Sequence, residues 1–368
     1  MLYPLFFIFI FVVIIQLSYY VFIFGKFSFA KKVDTKRNNI AVSVIVCAKN
    51  NEENVKQFIP LLAKQNYQNF EIVLIDDASS DETLEVFEEF EQQYKNVKLV
   101  KVENNEAFWG NKKFALTLGI KAAKNEYLLF TDADCYPTST NWITEICSCF
   151  SDEKTIVLGY SGYHKIAGSF LNLLIRFDSV LDATQYFSWT KIGKPYKGDG
   201  KNLAYKKSEF FKTNGFINHM KIRSGCDDLF INEAADSVNT AICYSQDSFA
   251  LSEPKTSFTS WFTQKRKQKA TAKHYKFFDK LQLRLFFITQ VLVYALAIIL
   301  LSWQFQWQIV ASLFAFRSIF AWISIGYAAS KLNEKQLHYW FPLLDIAAVF
   351  VQINVSLSML FSKPSMWK

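Results

Sequence analysis

Residues 130–135 read Phe-Thr-Asp-Ala-Asp-Cys, which sets Asp132 and Asp134 one residue apart, after an apolar run and before the turn residues Tyr-Pro-Thr-Ser-Thr. Carboxylates this close raise each other's cost of ionisation. A divalent cation offsets that cost: Mg2+ or Mn2+ prefers oxygen ligands and commonly binds one or two carboxylates plus substrate phosphates. Asp132 and Asp134 are therefore candidate metal ligands, with a diphosphate to complete the shell. A solvated acidic turn accounts for the same two residues without chemistry, and both readings stand at this point.

The surrounding pattern explains how such residues could be positioned. The β-branched, nearly continuous apolar run at 41–49 reads as a strand covered on both faces. A helix follows, with Val55, Phe58, Ile59 and Leu62 at helical spacing. Residues 70–79, 81–94 and 97–102 then read as strand, helix and strand, 111–125 as a helix, and 126–135 as a strand. This alternation predicts an α/β fold with a mostly parallel central sheet flanked by helices. Ligands of such sheets bind outside the carboxyl ends of the strands. Lys49, Asn50, Glu52, Asp76, Asp77, Asp132 and Asp134 all fall at or just after those ends, so one crevice should gather them. Ser80 or Asp81 would cap the helix that begins near Glu82, a local role compatible with ligand binding by Asp76 and Asp77. Residues 150–195 show only a mixture of short apolar pieces.

Five segments, Val-Ser-Val-Ile-Val-Cys-Ala-Lys-Asn-Asn-Glu-Glu-Asn-Val, Glu-Ile-Val-Leu-Ile-Asp-Asp-Ala-Ser-Ser-Asp-Glu-Thr, Phe-Thr-Asp-Ala-Asp-Cys, Gly-Asp-Gly-Lys-Asn-Leu-Ala-Tyr-Lys-Lys and Ser-Gly-Cys-Asp-Asp-Leu-Phe-Ile-Asn-Glu, occur in this order. Over residues 40–270 the chain thereby resembles the family 2 glycosyltransferases. The resemblance implies the nucleotide-diphospho-sugar transferase fold of GT-A type, a nucleotide-sugar donor of the UDP-sugar class, Mg2+ or Mn2+, and inversion by direct displacement. Carried over residue by residue, Lys49 and Glu52 would lie near the nucleotide and Asp77 would contact the uracil. Asp132 would approach the ribose or the metal, and Asp134 would coordinate the metal. Gly200 and Asn202 would shape the sugar and acceptor pocket, or form an ordinary turn. Aligning Gly225 puts Asp227 at the catalytic base and Cys226 where the family carries Glu; a one-residue shift would give the role to Asp228. Near the family's Gln-x-x-Arg-Trp motif Gln264 matches, but Lys267 and Gln268 depart, which argues against a processive polysaccharide synthase. Trp261, Gln264 and Arg266 would line the acceptor site or touch the diphosphate, or belong to a solvated basic face.

The reaction so implied is single transfer of a sugar to a hydroxyl of a lipid-linked or cell-envelope glycan acceptor, with an Asp base and metal assistance. Two alternatives stand beside it: a polyprenyl-phosphate sugar transferase, and a catalytically silent nucleotide-sugar-binding scaffold, which the cysteine at 226 leaves open.

Hydrophobic residues make up 51% of the 368-residue chain and concentrate at its ends. Residues 2–24 carry no charge and exceed the roughly 20 residues a membrane helix needs; with only Met1 before them they read as an anchor, not a cleavable signal. Three further stretches, 285–303, 306–329 and 338–361, have spanning length, although Pro342, Asp345 and Gln352 in the last also fit a re-entrant segment. Basic residues flank the spans at Lys26, Lys31, Lys32, Lys36, Arg37, Lys276, Lys280 and Arg284. They predict a multi-pass protein of the cytoplasmic membrane with its middle region in the cytoplasm, against which Lys363 and Lys368 count weakly. The expected organisation is an anchor at 1–25, a basic linker at 26–39, a catalytic domain at 40–270, a basic segment at 271–284, about three helices over 285–361, and a tail at 362–368. The formal charge of +8 then belongs with membrane lipid headgroups and not with nucleic acid. Six cysteines without a CxxC pair or zinc spacing read as reduced thiols. Arg317 and Asp345, the conspicuous charges within spans, are expected to pair, or else Arg317 would hold a lipid phosphate.

Overall fold

A computed structural model of the chain describes residues 2–31, 38–103, 112–222 and 224–361. Lys32, Lys36, Arg37, Lys363 and Lys368, and with them the middle of the expected linker and the whole expected tail, lie outside the described residues. Two compact units are present: one combines the N-terminal residues up to Lys31 with Gly168–Ile192 and the chain from Ser257, and the other holds the rest of the middle region. Within the span read from sequence as one catalytic domain, Gly168–Ile192 and the residues after Ser257 thus group with the apolar helices.

The middle unit is built on a seven-stranded sheet. Its strands are β1 (Val42–Ala48), β2 (Phe70–Asp76), β3 (Val97–Lys101), β4 (Tyr127–Asp132), β6 (Ile156–Leu158), β8 (Leu203–Lys206) and β9 (Thr240–Ile242), in the order β3-β2-β1-β4-β8-β6-β9. β5 (Cys135–Pro137), β7 (Ser161–Tyr163) and β10 (Ala250–Ser252) form a small second sheet. The pairings of β3, β2, β1 and β4 are parallel, while β8 runs antiparallel to both β4 and β6. Every residue of β1 is buried, as the continuous apolar run requires of a central strand with both faces covered. Helix Glu52–Ala63 buries Val55, Phe58, Ile59 and Leu62, the stripe expected from their spacing. With Trp142, Ile143 and Ile146 of helix Trp142–Cys147, Val55, Ile59 and Leu62 pack into a single core against the sheet.

The register places the chemistry. Ala48 pairs with Asp76 on one side of β1, and Cys47 pairs with Asp132 on the other. Two carboxylates from distant parts of the chain therefore end the strands flanking β1, at the same edge of the sheet.

In the other unit, helices Leu2–Ser28, Phe277–Ser302, Trp307–Lys331 and Leu337–Phe361 are each long and apolar enough to cross a membrane. The last is continuous through Pro342. Proline there cannot bond the carbonyl four residues back, and that carbonyl, of His338, instead accepts from Trp322 Nε1 at 2.8 Å. Arg317 and Asp345 pair as expected, Nη1 to Oδ2 at 2.9 Å. Gln16 and Tyr20 also accept from Arg317, and Gln290 and Tyr294 donate to Asp345, so one polar network joins all four helices. Helix Phe170–Lys191, N-capped by Ser169, belongs to this unit and buries Arg176 against Glu334.

Candidate active site

Two loops meet beyond the ends of β1 and β2. Asn50 adopts a left-handed conformation, φ 50°, and its Oδ1 accepts from Ser80 N at 2.7 Å, while Asn51 N donates to Thr83 Oγ1 at 2.8 Å. Asp81 accepts from the amides of Thr83 and Glu52, so it ties the loop as well as the start of helix Thr83–Gln93. Glu52 is turned along its own helix to Lys56, Oε1 to Nζ at 2.6 Å. Asp76 is buried, with Oδ2 accepting from Ser79 N. Asp77 lies closer to solvent; burial raises its carboxyl above the usual range, with Lys49 opposing and Asp76 adding to the rise.

Across β1, Asp132 Oδ1 accepts from Lys112 Nζ at 2.6 Å. Burial alone would raise the Asp132 carboxyl, but Lys112 and then Lys201 outweigh it and hold it below the usual range. Carboxylate oxygens of Asp132 and Asp134 and the Cys135 sulfur lie within 4.8 Å of one another. Cys135 Sγ donates to Asp134 Oδ1 at 3.3 Å, and burial pushes its thiol up, so this group is a neutral donor here. The oxygen pair suits Mg2+ or Mn2+, with Asp134 the more available because Asp132 already holds Lys112.

The segment 198–202 closes the same edge. Gly200 N donates to Asp227 Oδ2 at 2.7 Å. A Cβ at 200 would stand 3.1 Å from both that oxygen and the Asp227 Cβ, so any side chain there would push Asp227 away by a few tenths of an ångström. Asn202 is wholly buried: Oδ1 accepts from Trp142 Nε1, and Nδ2 donates to the Tyr160 and Ser248 carbonyls. Its amide is occupied inside the fold. Asp228 is buried at the start of helix Asp228–Ala234, whereas Asp227 is half-buried. Cys226 joins the two clusters, its thiol pushed up to about 12 by burial, with Asp227, Lys112 and Asp132 all near enough to act on it.

Sequence reasoning singled out neither Lys112 nor Lys201. The ammonium of Lys201 donates to Ser252 Oγ at 2.9 Å and lies 4.8 Å from the centre of the Tyr163 ring. Its place inside the glycine-rich segment 198–202 was the available signal. Trp261, Gln264 and Arg266 lie on helix Phe258–Ala272 of the other unit, where Trp261 is buried against Phe258.

A mostly parallel sheet flanked by helices, with carboxylates at its strand ends, a dyad suited to a divalent cation and a separate aspartate held by a glycine amide, is an arrangement of the GT-A type. Residues 43–224 match the model of glycosyl transferase family 2. An uncharacterized glycosyltransferase of Haemophilus influenzae is 29% identical over 145 residues, 39% of this chain and 41% of that protein. The poly(ribitol-phosphate) beta-N-acetylglucosaminyltransferase TarS of Staphylococcus aureus is 34% identical over 96 residues, 26% of this chain and 16% of its own. The chain thus spans well under half the length of these relatives. In fold it is similar to the mannosyltransferase PcManGT of Pyrobaculum calidifontis, solved with GDP-Man and Mn2+, with a TM-score of 0.56 and 14% identity over 88% of this chain and 98% of that one.

Proposed function

We propose that this glycosyltransferase moves one sugar from a nucleotide-diphosphate sugar, of the UDP-sugar class, to a hydroxyl of a lipid-linked or cell-envelope glycan, with inversion. The observation that carries the reading is the pairing at one sheet edge of the Asp132–Asp134 dyad with an independently held Asp227. Asp227 Oδ2 is engaged by Gly200 N, while Oδ1 has only a long contact, 3.9 Å, from the Cys226 thiol. Oδ1 is the oxygen to take the acceptor proton, and the Gly200 amide holds the carboxylate plane as it does so. Asp228, more buried, supports the segment. Asp77 and Lys49 face the nucleotide base and ribose side, and Lys112 steadies Asp132. Asp134, with Asp132, would hold Mg2+ or Mn2+, which supplies charge stabilisation to the departing diphosphate.

The four apolar helices seat the protein in the cytoplasmic membrane. Lys26, Lys31, Lys276, Lys280 and Arg284 mark the cytoplasmic side, and anionic headgroups are their partners. TarS is named for transfer to poly(ribitol phosphate), which supports an envelope glycan as one acceptor class.

The test is Mn2+-dependent release of nucleoside diphosphate by the full chain in detergent, across UDP- and GDP-sugars, with a lipid-linked acceptor extract. One donor should be consumed, with loss on Asp134→Asn and a fall of about a hundredfold or more on Asp227→Asn. Full turnover by Asp227→Asn would instead favour a phosphate nucleophile, which needs no base. Donor binding without turnover under every condition would favour a silent scaffold.

A further inference from the structure

We propose that Lys201 is a built-in cation of the donor site that binds the donor's diphosphate and makes divalent-ion binding conditional on the nucleotide. The inference rests on the nucleotide-sugar reading above.

The ammonium is fixed in place. Nζ donates to Ser252 Oγ at 2.9 Å, Ser252 Oγ lies 3.2 Å from Cys135 Sγ, and Cys135 Sγ donates to Asp134 Oδ1 at 3.3 Å. The Tyr163 ring supports it by a cation–π contact at 4.8 Å, and the Lys201 amide is tied to Asp199 Oδ1 at 3.2 Å. Three elements thus hold one lysine three hydrogen bonds from a candidate metal ligand, Asp134. Lys201 is nonetheless partly exposed, so an anion can reach it.

Charge makes the consequence definite. Asp132 Oδ1 pairs with Lys112 Nζ at 2.6 Å, and Asp134 is joined to Lys201 through Cys135 and Ser252. The dyad, which would otherwise present two negative charges to a metal, is balanced by two ammonium groups. A divalent ion entering alone meets like charge at short range in a partly desolvated site, where repulsion is poorly screened. A diphosphate reverses the balance: its oxygens pair with the lysine as a point charge and supply the remaining ligands of the ion. Metal and nucleotide must then raise each other's affinity by one common factor, since the coupling is reciprocal.

Isothermal titration of the full chain in detergent tests this with Mn2+, UDP and GDP as probes. In wild type, Mn2+ should bind at least about tenfold tighter with saturating nucleotide than without it. Lys201→Met should tighten Mn2+ binding in the absence of nucleotide and weaken nucleotide binding in the absence of metal, each by about fivefold or more, while Lys201→Arg stays near wild type. Unchanged Mn2+ and nucleotide affinities in Lys201→Met, with nucleotide still bound, overturn the role of Lys201 and leave the donor reading standing. Wild-type Mn2+ affinity indifferent to nucleotide overturns it too, without recourse to any variant. A wild type that binds neither UDP nor GDP in the presence of Mn2+ overturns the donor reading and this inference together.

Discussion

The amide of Gly200 donates to Asp227 Oδ2 at 2.7 Å, and a methyl at position 200 would lie 3.1 Å from that same oxygen. The link spans 27 residues and holds the proposed base from a backbone donor, which has no rotamer of its own. Gly200→Ala should therefore leave the fold intact and displace Asp227 by a few tenths of an ångström. Misplacing a reacting group costs rate more than binding, so kcat should fall by about tenfold or more with donor affinity nearly unchanged. Steady-state kinetics beside donor titration checks this; an unchanged kcat would mean that the amide does not position the base.

Much of this site was legible in sequence because it depends on local pattern. Hydrophobic runs identified β1, β2 and β4, and the parallel register then carried Asp76 and Asp132 to one edge. What was not legible depends on tertiary partners. Lysines are common on surfaces, so nothing local distinguishes Lys112 from the rest, and Lys201 is marked only by its place in the glycine-rich segment 198–202. Asn202, expected in the pocket wall, instead has its amide filled by Trp142, Tyr160 and Ser248, groups 42 to 60 residues away. The antiparallel β8, three-residue β6 and helix Phe170–Lys191 escaped because short strands, and a helix with Asn172, Arg176, Asp178 and Asp182 scattered among its apolar residues, lack a clear period.

Gly159 provides a stability test beside the same asparagine. A Cβ there would sit 2.5 Å from the Asn202 side-chain carbonyl carbon and 2.8 Å from its backbone oxygen, which also accepts from Gly159 N. Asn202 cannot swing aside without breaking three buried hydrogen bonds. Gly159→Ala should destabilise the protein by about 3 kcal/mol or more, from overpacking plus unpaired polar groups. Thermal melts in detergent would reveal it; a melting point matching wild type would show that this contact relaxes at no cost.

The Arg317–Asp345 pair lends itself to a double-mutant cycle. Removing one partner strands a buried charge, at a cost of about 3–5 kcal/mol, whereas replacing both with apolar residues removes the desolvation burden as well as the attraction. Arg317→Met and Asp345→Leu should each lower the melting point sharply, and the double variant should recover part of the loss. Strictly additive losses would show that the pair is not the unit. Gln16, Tyr20, Gln290 and Tyr294 would then carry the network independently.

His219 makes the middle unit sensitive to acid. It is 7% exposed, neither ring nitrogen has a hydrogen-bond partner among the described residues, and Lys113 Nζ donates to its carbonyl at 2.8 Å. Burial, helped by Lys113, lowers its imidazole to about 4, below the ordinary 6.5. Between those values the unfolded chain binds a proton that the folded chain refuses, so stability falls as pH drops from 6.5 towards 4 and is unaffected by this group above 6.5. The loss reaches on the order of 3 kcal/mol at the acid end. His219→Phe, which keeps an aromatic ring beside Phe216, should flatten the melting-point profile in that window while leaving the neutral-pH value nearly unchanged. A variant profile that keeps the full acid slope would assign the slope to other groups, with Asp132 the first to examine, since its lowered carboxyl loses stability as pH falls through its own range.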